Sequence, residues 1–229
     1  YDYYEPRIAG QFYLRPLEYE LELAYATDNR RPFSMQFDYE WRAQPFSTMR
    51  QHELEAGWNW RAGQRLELGY ALELENRTND HGFTSLTGTE QALFARRDVA
   101  TLANTFETVY SISTKMGLRL RTRHYRSVVQ NHEYFQLQTD GTTGNPVQVS
   151  RNYDQNYNAF TIDCIFRWIF LPGSELSAAW KSQAYLSDRF IHGNYTENLL
   201  KSWKNQSHSL SLKVLYYFDV NTIFVPVTN

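Results

Sequence analysis

Carboxylates recur at every second position in the N-terminal part of this chain. They stand at Glu18, Glu20 and Glu22, at Asp38 and Glu40, at Glu53 and Glu55, and at Glu67, Glu73 and Glu75. Cationic groups follow the same rhythm further on, at Arg119, Arg121 and Arg123, and continue at Arg167, Lys181 and Lys213. A spacing of two places side chains on one face of a β-strand. Strands closed around an interior would give it one acidic wall and one basic wall. A transverse field of that kind orients polar solutes. The plainer alternative is that the charges pair with neighbours across strands, with a plug, or with further strands. Asp163 is the local partner expected for Arg167.

Other chemistry is thinner. His81 beside Asp80, His132 beside Glu133, and His192 fall in polar stretches, where an acid–His pair could activate water. No serine-bearing nucleophile elbow occurs, and no His pair has zinc-ligand spacing. We expect no catalytic residue, no metal and no cofactor. Cys164 is the single cysteine, so an intramolecular disulfide is excluded; on an apolar strand face it reads as a small hydrophobe. A net charge of -2 gives no reason to expect nucleic acid as a partner.

The elements that would carry these residues are strands. Leu17, Tyr19, Leu21, Leu23 and Tyr25 alternate with the first acidic set, and the pattern recurs over about 17–27, 33–43, 49–62, 65–77, 99–113, 117–130, 155–170, 175–187 and 205–218. One face carries Phe33, Met35, Phe37, Tyr39 and Trp41, then Leu54, Trp58 and Trp60, then Leu66, Leu68, Tyr70, Leu72 and Leu74. Further on it carries Phe160, Ile162, Cys164, Phe166 and Trp168, and finally Leu210, Leu212, Val214, Tyr216 and Phe218. Strands of about 9–11 residues, tilted, cross a bilayer. The expected fold is all-β: a transmembrane, antiparallel, up-and-down β-barrel. A mean hydropathy of -0.60 does not oppose this, because interior polar residues offset the lipid-facing ones.

The aromatic content of 16% suits interfacial girdles, with Trp41, Trp58, Trp60, Trp168, Trp180 and Phe218 as candidate anchors. Sugar stacking is the alternative use of aromatic rings, with Tyr134, Phe135, Tyr153 and Tyr195 as loop candidates. Long polar loops are expected at 78–98, 131–154 and 188–204, and short turns at the other end, as at Leu171-Pro172-Gly173-Ser174. Barrels put long loops outside and short turns in the periplasm. The expected layout is a barrel over 1–219 and a periplasmic tail at 220–229. About nine strands are visible where bacterial barrels have an even number. A start that lacks a signal segment means that the chain begins after processing or is a C-terminal part of something longer; the odd count, with a first strand that starts outside, predicts a C-terminal portion of a larger barrel. Tyr4–Arg15 would be an extracellular loop.

Several stretches carry a resemblance: Tyr4-Glu5-Pro6-Arg7-Ile8-Ala9-Gly10, Thr27-Asp28-Asn29-Arg30-Arg31, Phe94-Ala95-Arg96-Arg97-Asp98, Phe166-Arg167-Trp168 with Leu171-Pro172-Gly173-Ser174 and Trp180, and Ser209 through Asp219. In that order they resemble a Bacteroidota outer-membrane family of unknown function, the DUF5916-type barrel that follows a carbohydrate-binding family 9-like domain. The resemblance implies a barrel in the outer membrane and no established activity. Two functions follow as expectations. One is a pore or receptor for glycans or other polar solutes. The other is a non-transporting subunit of a larger outer-membrane complex for nutrient uptake, protein export or barrel assembly. Expected partners are the lipid bilayer, other outer-membrane proteins and glycans.

Overall fold

The computed structural model describes residues 1–87, 91–189, 195–203 and 206–218. The expected tail at 220–229 and His192 lie outside the described residues. Alternation of apolar and charged residues builds one antiparallel sheet: β1 (Tyr19–Ala26), β2 (Phe33–Ala43), β3 (Arg50–Ala62), β4 (Leu66–Leu86), β5 (Ala92–Ser113), β6 (Met116–Leu137), β7 (Thr143–Val147), β8 (Gln155–Leu171), β9 (Ser174–Asp188) and β10 (Gln206–Leu215). Each strand pairs with its sequence neighbour, except that β8 follows β6 while the short β7 pairs with the end of β6. The sheet is open, and β1 and β10 are its edges. A helix, α1 (Tyr195–Trp203), precedes β10.

Register carries the sequence pattern across the sheet without a break. Phe33, Trp60, Leu68, Thr108, Leu120, Cys164, Trp180 and Leu210 are successive cross-strand partners from β2 to β10. This apolar face is bare over much of its area: Leu210 is 79% exposed and Leu21 53%. The opposite face holds the charges.

Three expected loops are built otherwise. The stretch 78–98 is mostly a hairpin that prolongs β4 and β5 beyond the shorter strands. Its polar residues satisfy one another across the ladder: Arg97 Nε bonds Asp80 Oδ2 at 2.9 Å, and the Asn79 N–H bonds Asp98 Oδ1 at 2.8 Å from a bulge where Asn79 has φ +53°. Within 131–154, β6 runs on to Leu137 and β7 returns beside it after a turn at Gly141 (φ +83°). The stretch 188–204 contains α1, whose Glu197 and Lys201 form an i,i+4 pair at 2.7 Å, oriented to suit the helix dipole.

Among the described residues, the buried apolar cluster lies at this prolonged end rather than on the main sheet. Tyr13, Ala92, Phe94 and Leu137 form it, with Ile8 and Phe83 against them. The N-terminal segment is tied there. Asp2 and Tyr13 exchange backbone hydrogen bonds of 2.7 Å, Leu14 N–H bonds Gly141 O, and Glu5 Oε1 accepts the Phe83 N–H. The Asp2 carboxylate also accepts the N–H groups of Tyr4 and Glu5 and pairs with Arg15 at 2.8 Å. Burial raises the Tyr13 phenol to about 12, with Asp80 adding to it. Thus Tyr4–Arg15 has neither strand nor helix, as a loop should, and it folds as a cap over the prolonged end of the sheet.

Two outcomes follow. Phe94→Ala empties a fully enclosed ring site, and truncations of this type cost about 3–5 kcal/mol; hydrogen exchange should show the Tyr13 amide losing protection while strand amides near Leu68 keep theirs. Burial raises the Asp2 pKa, but amide hydrogen bonds and Arg15 bring it below its ordinary value. Its contribution is therefore complete above the unfolded value of about 3.9 and fades as pH falls through the lower folded value. Proteolysis of the N-terminal segment should rise on acidification below pH ~4, and Asp2→Asn should abolish that acid step.

Candidate inner-face site

The charged face is ordered in rows because the ladders are in register. Glu22, Glu40, Glu53 and Glu75 are successive partners on β1 to β4, and Asp38, Glu55 and Glu73 form the next row. Like charges directly opposite one another destabilise a sheet. At 4 Å a pair costs about 1 kcal/mol in bulk water and about 4 kcal/mol at an effective dielectric near 20. Rows of this kind are tolerable against water or counter-ions and very costly against a dry surface. Relief comes from one side. Arg42 pairs with Glu40 and with Glu20 at 3.2 Å, and Arg77 pairs with Glu75 at 2.6 Å. Gln51 donates to Glu53 and Glu75. Glu18 accepts from Gln44, and Glu67 accepts from Asn59. Glu22, Asp38, Glu40, Glu53 and Glu55 line a common open pocket. Among the described residues, no His, Cys, Asp and Glu are grouped to hold a metal ion.

The basic residues share this face, but most are already neutralised. Arg119 and Arg121 both pair with Glu107, at 3.3 and 3.0 Å. Lys181 pairs with Asp163 at 3.4 Å, and Arg167 pairs with Glu175. The expected Asp163–Arg167 pair is therefore not formed. Register sets Asp163 directly opposite Lys181 and leaves Arg167 near Glu175 on the neighbouring strand. Arg123 takes another partner, its guanidinium lying 5.8 Å over the Tyr125 ring. Lys213 stands opposite Ser177 on the edge strand. The acidic wall is thus a concentration of net charge, whereas the basic wall is mostly a set of ion pairs.

Tyr125, Tyr157 and Tyr185 also stand on this face, in phase with Arg121 and Arg123. Sequence reasoning placed its aromatic candidates in loops and missed them. The period-two phase of Arg119-Arg121-Arg123 extends directly to Tyr125 and was the available signal. Of the loop candidates, Phe135 is buried, Tyr134 packs on Tyr153, and Tyr195 opens α1.

The tryptophans lie on the apolar face. Trp58 stands between Met35 and Tyr70, Trp60 between Phe33 and Leu68, and Trp41 between Leu21 and His52. Trp180 stacks on His208 at 6.0 Å. At the short-turn end Trp168, Phe170, Tyr216 and Phe218 form a chain of ring contacts. Over β8 and β9 the upper part of this face turns polar. There Asn156 and Asn158 donate to Asn198 of α1, and Tyr195 meets His124 at 3.0 Å and Asn104.

The acid–His pairs suggested by sequence adjacency are not the ones formed. Asp80 is held by Arg97, and the His81 ring packs on Phe135. Burial lowers the pKa of His81. His132 bonds Asp98 at 2.9 Å, and Glu133 faces Arg96. The other oxygen of Asp98 holds the bulge at Asn79, so this pair closes a strand irregularity.

Removing Arg42 tests the balance of charge. Arg42→Gln leaves Glu20 and Glu40 without the cation that pairs with both, so the thermal midpoint should fall further than in Glu20→Gln. Salt at 1 M shortens the screening length to about 3 Å and should recover most of the loss. An equal loss in both variants, insensitive to salt, would mean that repulsion along the row is not what Arg42 relieves.

No curated protein and no solved structure matches the chain. A family model, described as a domain of unknown function and designated DUF5916, matches residues 1–224. That match covers nearly the whole sequence, and the chain belongs to this family.

Proposed function

We propose that this chain forms part of the wall of an outer-membrane β-barrel that conducts or receives polar solutes, glycans among them. The observation that carries the reading is the two-faced sheet: rows of exposed Leu, Trp and Phe on one side, and carboxylate rows only partly compensated by Arg42 and Arg77 on the other. An apolar medium suits the first face and water suits the second. The strands that bear both faces, such as β2 with 11 residues and β3 with 13, are long enough to cross a bilayer with a tilt. The edges support closure. β1 exposes its side chains along its whole length and β10 all but Gln206, and such bare edges are normally paired. Short turns at one end and the capped, prolonged strands at the other fit periplasmic and extracellular sides. The chemistry offered to a solute is electrostatic: cations gain from the acidic wall, while paired residues on the other wall add little net field.

A second reading, a subunit of a larger outer-membrane complex, is favoured by α1. It interrupts the apolar face over β8 and β9 and exposes Leu200 and Trp203 outward, a feature that an unbroken lipid belt does not need.

Planar-bilayer conductance of the full-length protein tests the first reading. Open channels should prefer cations, and combining Glu53→Gln, Glu55→Gln and Glu73→Gln should lower the cation-to-anion permeability ratio several-fold. A bilayer that stays closed would reject conduction. An unchanged ratio would reject the acidic wall as its determinant.

A further inference from the structure

The inner face of β6, β8 and β9 carries a cup whose lining differs from the rest of the wall. Tyr125, Ala159 and Tyr185 are successive cross-strand partners. Adjacent strands are about 4.8 Å apart, so the two tyrosines stand roughly 10 Å apart, with only a methyl group between them. Tyr157 lies one step along β8 on one side of Ala159, and Thr161 one step on the other. Together with Arg123 these residues line one pocket. Tyr125 and Tyr157 contact each other at 6.0 Å with planes inclined at 60°, and the space over Ala159 is left open as part of the pocket. The Tyr185 hydroxyl donates to Gln183 at 3.1 Å, which tethers its tip while the residue stays 49% exposed.

Arg123 supplies the charge. Arg119, Arg121, Arg167 and Lys181 all have carboxylate partners. Arg123 has none among the described residues. Its Nε is shielded from solvent and meets no hydrogen-bond partner, while its guanidinium rests on Tyr125. A guanidinium that no carboxylate neutralises, held at the edge of an aromatic cup, offers its charge to an anionic ligand. Flat rings offer their faces to C–H groups, and their hydroxyls and Thr161 offer hydrogen bonds at the rim. A ring between two aromatic walls requires two contacts of about 3.5–4.0 Å, which fits within the separation of the two tyrosines.

We propose that Tyr125, Tyr157, Tyr185 and Arg123 form a saccharide-binding subsite that takes one pyranose ring bearing a carboxylate, as in a uronic acid unit of an acidic oligosaccharide. It rests on the reading of this face as a water-lined interior. The stacking rings select the pyranose face, and Arg123 selects the acidic substituent.

Isothermal titration of the full-length protein in detergent, with trigalacturonate and neutral cellotriose as probes, tests the assignment. Trigalacturonate should bind more tightly. Tyr185→Ala should weaken it at least tenfold, and Tyr185→Phe should retain most of the affinity. Arg123→Gln should erase the preference over cellotriose. Thr108→Ala, on the apolar face, should bind as the parent does, and unchanged β-type circular dichroism shows that each variant is folded. Failure of both trisaccharides to bind, affinity unaltered in Tyr185→Ala, or equal affinity of the parent for the two probes would overturn the proposal. Conductance without binding would reject the subsite and leave the channel standing. Binding lost in both variants of a protein that never conducts would do the reverse.

Discussion

A slip of one residue in any strand pair would carry a row of carboxylates onto the face that bears Leu68, Trp60 and Trp180. The two-faced character of the sheet therefore depends on register, and register depends on the turns. At the short end, Gly63 and Gly173 take φ near +76° and +75°, a region closed to most other residues, so each hairpin closes in one phase. A Cβ at residue 173 would also meet the Tyr217 Cβ at 2.9 Å, so glycine is needed there for space as well as backbone. At the far end the bulge at Asn79 absorbs a phase error. The ladder shifts between Arg77 and Asp80, and Asp98 holds the displaced N–H.

Fixed register has an electrostatic consequence. It forces Glu40 between Glu22 and Glu53, an arrangement that local pairing would avoid. The chain relieves it at one margin only, with Arg42 and Arg77, and leaves Glu55 and Glu73 opposite each other. On β5 to β9 the same geometry brings opposite charges together, as with Asp163 and Lys181. Identical ladders thus store repulsion on one side of the sheet and cancel charge on the other. A net field across the charged face arises from this difference, not from two opposed free walls.

The strands of the main sheet were legible because period two is a local property: nine alternating stretches became the nine strands of the continuous path, most within a few residues of the expected ends. What escaped the sequence depends on contacts distant in the chain. Nothing in Asn79-Asp80-His81-Gly82 announces a strand, since its polarity is answered by Asp98, Arg97 and Glu5. Gly82 is part of that answer: a Cβ there would fall 1.8 Å from the Arg97 guanidinium, so its lack of side chain lets Arg97 cross to Asp80. The same limit applies to the site. Membership of the charged face could be read from parity alone, but whether Arg167 meets Asp163 or Glu175 depends on the tilt and rotamers of neighbouring strands.

The helix shows how a breach in the pattern is repaired. Asn104, His124, Asn156 and Asn158 have the parity of the apolar face, and uncovered they would present amides and an imidazole among leucines. Burial of such groups without partners costs about 1–3 kcal/mol each. Helix α1 brings Asn198 to the two asparagines and the Tyr195 hydroxyl to His124 and Asn104, while Tyr70 donates to Asn104 at 2.6 Å. Phe160 packs on Trp203 at 4.8 Å and closes one end of the network. The helix leaves Leu200 exposed and Trp203 half-exposed beside Phe160, so an apolar surface is restored one layer further out. Hydrogen bonds between named partners hold it there, and that fixes its position along the strands in a way that apolar packing alone would not.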